Sequence, residues 1–306
     1  MAFRVGDIIS AADLNAFVND LNNNLLGTGS GTTGYGQTLL STVTPGQVVS
    51  ASQWRDLRNA INTAAIHQGT AVSVPPLTEL DPGDDVEAFE SLDGKPYDID
   101  SSVAAVITNR LNSDPGQRST IAIGTATRSS AWSSTINATV RVQFASEDDA
   151  RYFFNTGGVI EFDGDHPNSG SQPNQDDAWR DILDTYVGEL QLTYNTFSRS
   201  GSRGSATSVG YYGLGTSFTT VYNGTNIGNG AYSSNDVTVQ ARVLNVVGTN
   251  GGNGDAIEFQ ITLSDDHPSI SGSYDTVASG TNFDFRVQKA SQYTIGTPTF
   301  TVSNSF

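Results

Sequence analysis

From Ser119 onward the hydrophobic pattern has a period of two, and this alternation constrains the fold more than any other feature. Val140, Val142 and Phe144 alternate with Thr139, Arg141 and Gln143, and Val237, Val239, Ala241 and Val243 alternate with Thr238, Gln240 and Arg242. Ile257 to Leu263 repeats the pattern, and shorter versions follow in Phe283 to Val287 and Thr299 to Val302. Side chains that change face at every residue are the mark of a half-buried strand. Clusters of Gly, Asn, Ser and Asp between the runs supply turns. The expectation is a mainly antiparallel β-sandwich or open-barrel domain over residues 119–306. Two short helices interrupt it. Ser146 caps the first, whose Glu147, Asp148 and Asp149 suit the positive end of a helix. It presents Ala150, Tyr152, Phe153 and Phe154 and stops at Gly157-Gly158. The second runs from about Gln175 to Val187, with Trp179, Ile182, Leu183 and Tyr186 on one side and Gly188 as its exit. Helices laid on an antiparallel sheet make the class α+β.

The first part of the chain reads differently. Gly6-Asp7-Ile8-Ile9-Ser10-Ala11-Ala12-Asp13-Leu14 is echoed by Gly46-Gln47-Val48-Val49-Ser50-Ala51-Ser52-Gln53-Trp54. A helical pattern follows each run, with Leu14, Phe17, Val18 and Leu21 in the first and Trp54, Leu57 and Ile61 in the second. Ser10 with Asp13 and Ser50 with Gln53 have capping-box spacing, and Gly27 and Gly69 are stop signals. The expectation is a helical repeat over residues 1–70. Helices this short are marginal alone, so their apolar stripes need each other, the following domain or a neighbouring subunit. The last option gives the segment a docking and oligomerisation role. Residues 71–118 read as an acidic linker, with Pro75-Pro76 and Asp81-Pro82-Gly83-Asp84-Asp85, followed by a short helix through Val103, Val106, Ile107 and Leu111.

Composition removes several classes of function. No cysteine is present, which excludes disulfides, thiolate metal sites and a cysteine nucleophile. The formal net charge is −17, from 15 Lys and Arg against 32 Asp and Glu. Nucleic acid and anionic membrane surfaces are therefore not expected partners. The one local basic pair, Arg199 and Arg203, sits in a Ser/Gly-rich loop. No apolar run is long enough to span a membrane, and the start has no secretory signal. The expectation is a soluble protein made in a cytoplasm. The connector Gly27 to Gly36 has the glycines of a phosphate loop but no following Lys, so no nucleotide or other cofactor is expected.

Reactive groups are sparse. His166 lies in Asp163-Gly164-Asp165-His166-Pro167 and His267 in Asp265-Asp266-His267-Pro268, each after an Ile-Glu-Phe run (Ile160-Glu161-Phe162 and Ile257-Glu258-Phe259). Asp and His so close together are compatible with a divalent ion. The preferred reading is a chain turn with the histidine on the surface. His67 closes a helix and is expected to face its terminal carbonyls. No nucleophile elbow or zinc-protease signature occurs, so an enzyme is not expected. Tyr211, Tyr212, Phe218, Tyr222 and Tyr232, set among Gly, Ser, Asn and Thr, read as hairpins, with a subunit or receptor contact surface as the alternative.

The segment Ser146 to Ile160, and within it Ala150-Arg151-Tyr152-Phe153-Phe154-Asn155 followed by Gly157 and Gly158, resembles a motif of uncharacterised virion structural proteins of tailed phages, especially those of marine bacteria and cyanobacteria. Tyr35-Gly36-Gln37 with Val48, Ala51, Trp54, Leu57, Ile61 and His67-Gln68-Gly69 resembles a second module of the same proteins. The resemblance covers roughly residues 1–70 and 135–190. It implies a non-enzymatic component of the tail, neck or fibre apparatus, assembled in the host cytoplasm and located in the virion. Its partners would be other virion proteins and copies of itself; recognition of a host-surface glycan is the alternative. Read from the residues alone, Tyr152, Phe153 and Phe154 are core anchors and Arg151 pairs locally.

Overall fold

The computed structural model describes residues 11–26, 39–68, 70–74, 98–110, 118–167, 173–247, 252–267, 276–290, 296–304 and 306. The chain divides into two compact units. One comprises Met1–Asp114 with Thr249–Gly251 and Ser291–Ile295; the other comprises Pro115–Gly248, Gly252–Ala290 and Gly296–Phe306. Among the described residues no helix is long and apolar enough to cross a membrane.

The first unit contains α1 (Ala11–Leu21), α2 (Ala51–Gln68) and α3 (Ile99–Thr108). Leu14, Phe17, Val18 and Leu21 of α1, Trp54, Leu57 and Ile61 of α2, and Ile99, Val103 and Val106 of α3 are all buried. The three helices pack pairwise. Their stripes therefore find each other within the chain, and the need for an outside partner to cover them falls away. The capping box at α2 forms as its spacing predicts: Gln53 N donates to Ser50 Oγ at 3.3 Å and Ser50 N to Gln53 Oε1 at 2.9 Å. Ser10, Gly27 and Gly69 lie outside the described residues.

The sequence repeat does not become two equal structural units. The helix of the second copy is continuous for 18 residues, whereas α1 gives way after Leu21 to a π-type turn over Asn22–Leu26. Asparagine competes for backbone hydrogen bonds, and Asn24 Nδ2 donates to Asp20 O at 3.0 Å. Two further asparagines act as clamps. The Asn15 amide donates to Val43 O at 2.8 Å and accepts from Val43 N at 2.7 Å. Asn22 does the same to Leu40, at 2.9 Å in both directions. Each amide thus stands in for a peptide unit and holds the extended 40–43 segment along α1. Asn15→Ala and Asn22→Ala are each expected to lower unfolding stability by about 1–2 kcal/mol, two lost hydrogen bonds of roughly 1 kcal/mol offset in part by water. Denaturant titration checks this, and the surface neighbour Asn23→Ala should leave the midpoint in place.

The α3 helix begins earlier than its apolar spacing implies. Asp98 is the cap, its Oδ1 accepting from Ser101 N at 2.9 Å. An Asp cap followed by Ile99 is a complete start signal, and the apolar spacing read from Val103 missed it. Leu111 lies outside the described residues.

The second unit is built on two antiparallel sheets. Its strands are β1 (Arg118–Thr127), β2 (Ile136–Gln143), β3 (Val159–Asp165), β4 (Leu190–Leu192), β5 (Phe197–Arg199), β6 (Ser205–Ala206), β7 (Thr219–Gly224), β8 (Asp236–Leu244), β9 (Ala256–Ser264), β10 (Asn282–Ala290) and β11 (Thr299–Asn304). The orders are β1-β10-β3-β4-β5 and β11-β2-β9-β8-β7-β6. Their inner faces meet in aromatic side chains, with Phe162 5.1 Å from Phe259 and 4.5 Å from Phe285, and Phe285 6.1 Å from Phe300. No ladder joins the two sheets among the described residues, so the architecture is an open pair of facing sheets rather than a closed barrel. Helices α4 (Glu147–Asn155) and α5 (Pro173–Asp181, followed by a π-type turn Ile182–Val187) complete an α+β unit.

The two Ile-Glu-Phe runs occupy matching places. β3 and β9 are each third from one end of their sheet, and Phe162 and Phe259 face each other between them. Period-two alternation then puts Glu161 and Glu258 on the outer faces.

Candidate functional site

Three groupings of polar or aromatic side chains in the second unit are candidates for a site. The first is the aromatic motif on α4. Ser146 caps the helix, its Oγ accepting from Asp149 N at 3.1 Å. Ala150, Arg151, Tyr152, Phe153, Phe154 and Asn155 are all buried. Phe153 lies 5.1 Å from Phe144, and Phe154 stacks on Tyr211 at 4.4 Å. Tyr211 O–H donates to Gly254 O at 2.6 Å, and Tyr212 O–H to Asn155 Oδ1 at 3.0 Å. Arg151 pairs with Asp148 at 2.7 Å, the local partner its position implies. Burial pushes the Tyr152 phenol up to about 12, and it raises Tyr211 and Tyr212 as well. Gly157 has φ +85°, and a Cβ on Gly158 would meet the Phe153 ring at 2.5 Å. The motif is a packing nucleus. Trp54, from the other resemblance module, is buried in the first unit, and the His67 side chain lies outside the described residues.

The expected hairpins form over part of the tyrosine-rich stretch, β6 with β7 and β7 with β8. Tyr211 opens a 3₁₀ turn rather than a hairpin strand, and both Tyr211 and Tyr222 are fully buried. They are core side chains and cannot form a contact platform. Their phenols reach backbone acceptors inside the fold, Tyr222 O–H donating to Arg203 O at 3.0 Å. The basic pair dissolves too: Arg203 lies over the Tyr186 ring at 3.8 Å and donates to the Ile227 and Gly228 carbonyls.

The second grouping is the charged rows on the outer faces of the sheets. Glu258 sits between its cross-strand neighbours Arg141 and Arg242, with Arg141 Nη2 at 3.1 Å and Arg242 Nε at 2.9 Å. Glu161 accepts from Gln288 at 2.6 Å and Gln191 at 3.2 Å, while Arg286 bridges Asp163 at 2.9 Å and Glu189 at 3.0 Å. Burial raises the Glu161 pKa, the Glu189 charge adds to this, and Arg286 opposes it. These rows follow from the strand register. They are cross-strand pairs, and nothing in their geometry converges on a substrate-sized space.

The third grouping overturns the expectation of a surface histidine. His166, at the end of β3, is fully buried beside the equally buried Asp176 of α5. Its Nε2 lies 3.1 Å from Asp176 Oδ1, a close but bent contact, and its Nδ1 is 2.9 Å from Thr281 Oγ1. Trp132 Nε1 donates to the same hydroxyl at 3.3 Å, and Ala278 N donates to Asp176 Oδ1 at 2.9 Å. Next to it Gln175 Nε2 donates to Asp265 Oδ2 at 2.6 Å. His267 is likewise mostly buried, with Nδ1 2.8 Å from Ala231 O and its ring 4.6 Å from that of Tyr232. The two histidines therefore point inward, where the Nδ1 of each ring meets a partner from a distant segment.

A Thr–His–Asp line resembles a hydrolase triad in its residue types. A triad needs its hydroxyl open to substrate, and Thr281 is fully buried. Among the described residues no group of three or more His, Asp or Glu has the geometry to hold a metal ion. A shallow polar depression lies elsewhere, lined by residues that include Arg128, Ser133, Ser134, Asn137 and Phe306. Arg128 spends its guanidinium on the carbonyls of Ser130 and Phe306, at 2.9 and 2.6 Å. Set against known protein families, curated proteins and solved structures, the chain matches none of them.

Proposed function

We propose that this protein is a non-enzymatic structural component of a tailed-phage particle, in the tail, neck or fibre apparatus. It acts by associating with its own copies and with other virion proteins, is assembled in the host cytoplasm and ends in the virion. The particle assignment comes from the resemblance at Ala150 to Gly158. The mode of action rests on one structural observation, the open edge at β1.

Exposed edges template further strands, and proteins usually blunt them with short strands, charge or proline. Edge strands β5 and β6 are three and two residues long, and β11 is six. β1 runs for ten residues, pairs only with β10 among the described strands, and carries no charge after Arg118. A bulge between Thr120 and Ala122 interrupts one end, leaving Ala122 to Thr127 regular. Ile123 points outward there and is 74% exposed. Such an edge supports strand addition between subunits. Burying a short ladder falls short of the ~800 Å² per partner of a standard interface, so a single contact is weak and gains strength through repetition in an assembly.

Sedimentation velocity tests the reading. The protein should show concentration-dependent association that increases with salt, since −17 charges per chain repel at low ionic strength. Ile123→Lys should weaken that association at least several-fold without moving the thermal midpoint. A protein monomeric at all concentrations, or one that turns over a substrate, would count against the proposal. The glycan-binding alternative keeps Tyr212, Phe218 and Tyr232 as half-buried aromatics and loses Tyr211 and Tyr222 to the core.

A further inference from the structure

We infer that His166 is a neutral-pH latch: its uncharged imidazole ties the end of β3 to the strap 277–281 through Thr281, and protonation loosens the strap at that tie. The inference is independent of the particle assignment. It stands on the order in which the hydrogen bonds run.

The strap is fastened on two sides. On one, Val277 exchanges both backbone hydrogen bonds with Trp132, at 2.7 and 2.9 Å, and Gly280 N donates to Arg128 O at 2.8 Å. On the other, it reaches α5 through Asp176 Oδ1, which accepts from Ala278 N, and reaches β3 through Thr281 Oγ1, which meets His166. A proton on Nε2 faces the Asp176 carboxylate, and a bare Nδ1 then accepts from the Thr281 hydroxyl. That hydroxyl in turn accepts from Trp132 Nε1. The Nε2 contact with Asp176 is bent, so the firm hydrogen bond of this arrangement is the one between the Thr281 hydroxyl and Nδ1. The other neutral tautomer sets the Nε2 lone pair against a carboxylate oxygen and is disfavoured.

Protonation adds a hydrogen at Nδ1, and the relay no longer closes. Thr281 Oγ1 must then accept from both His166 and Trp132, so its own hydrogen loses the ring nitrogen. Burial opposes the charge as well, and the groups facing the ring fix the balance. From α5 these are Asp176, which favours protonation, and Arg180, which opposes it; Asp165 on the histidine's own strand favours it. The strap and the Trp132 loop contribute Thr281 and Trp132, both uncharged. Desolvation is the largest influence and holds the His166 pKa below 6.5. The unfolded chain therefore takes up this proton at a higher pH than the folded chain does. The latch contributes its full stability above pH 6.5 and loses it as the pH falls through the folded value.

Two measurements on the full chain decide the matter. Nitrogen-15 NMR of the imidazoles reads tautomer and titration directly: His166 should carry its proton on Nε2 and titrate below 6.5. Amide exchange, corrected for the intrinsic pH dependence, should show protection at Ala278 falling about tenfold or more from pH 7.5 to pH 5, one factor of ten for each pH unit spent on protonation, while β8 and β9 keep theirs. His166→Gln preserves a donor and an acceptor at similar separation and cannot titrate, so its Ala278 protection should stay flat. An Nδ1–H tautomer, titration at or above 6.5, or the same fall in His166→Gln would overturn the inference. If His166→Gln does not fold, the wild-type titration and tautomer decide alone.

Discussion

Phe154→Ala is expected to destabilise the sheet-bearing unit by about 3–5 kcal/mol, the range for emptying a buried aromatic site. Phe154 is fully buried and touches three other rings: Phe144 at 6.1 Å, Phe153 at 4.9 Å edge-on and Tyr211 at 4.4 Å face to face. The space left cannot collapse easily, because Tyr211 is pinned by its own hydrogen bond to Gly254 and by Asn253 N, which donates to its hydroxyl at 3.1 Å. For a unit of this size the loss corresponds to a fall in thermal midpoint on the order of 10 °C. Calorimetry or guanidinium titration reads it. A loss under about 1 kcal/mol would mean that the motif residues are not core, and the partner-surface reading of the same segment would return.

The strands that were legible in the sequence are those whose two faces differ. β8 alternates buried and half-buried residues without a break from Asp236 to Leu244, so its period shows in the residue types themselves. β1 is hard to read for the converse reason. It is an edge strand with a bulge, most of its residues are only half-buried or exposed, and little selects apolar residues at alternate positions. β4, β5 and β6 are two or three residues long, shorter than any window in which a period can be counted. The capped helices were visible because a cap is local: Ser50, Ser146 and the backbone N–H groups they accept from lie within one turn.

The candidate sites show the same division between local and distant pairing. Arg151 and Asp148 are three residues apart on one helix, so their pairing could be anticipated. His166 and Asp176 meet only after the chain leaves β3 and enters α5, and Thr281 arrives only after six more strands, β4 to β9. Nothing in Asp-Gly-Asp-His-Pro distinguishes a buried ring from a solvated one. Asn15 and Asn22 were a signal that could have been used. They stand seven residues apart, Asn15 on the helix that carries Leu14, Phe17, Val18 and Leu21 and Asn22 just past its end, and half-buried amides beside an apolar stripe usually have a backbone to hold.

Gly201→Ala is the other large effect, and it tests a backbone crossing rather than a side chain. Residues 200–203 run against the exit of the π-type turn, where Gly201 N donates to Val187 O at 3.1 Å, Ser202 N to Thr185 O at 3.0 Å and Arg203 N to Tyr186 O at 2.9 Å. A Cβ on Gly201 would sit 2.3 Å from the carbonyl oxygens of Tyr186 and Val187, and no rotamer can relieve a collision with backbone. Opening the crossing sacrifices those hydrogen bonds and the Arg203–Tyr186 stack together, so the expected loss is about 3 kcal/mol or more, at the upper end for overpacking. Gly215→Ala is the matched control, since a Cβ there meets nothing within 4 Å and its φ lies outside the left-handed region. It should be neutral or stabilise by up to about 1 kcal/mol through the unfolded chain. Equal midpoints for the two variants in thermal melts would mean that the two segments do not cross as closely as 3.1 Å hydrogen bonding requires.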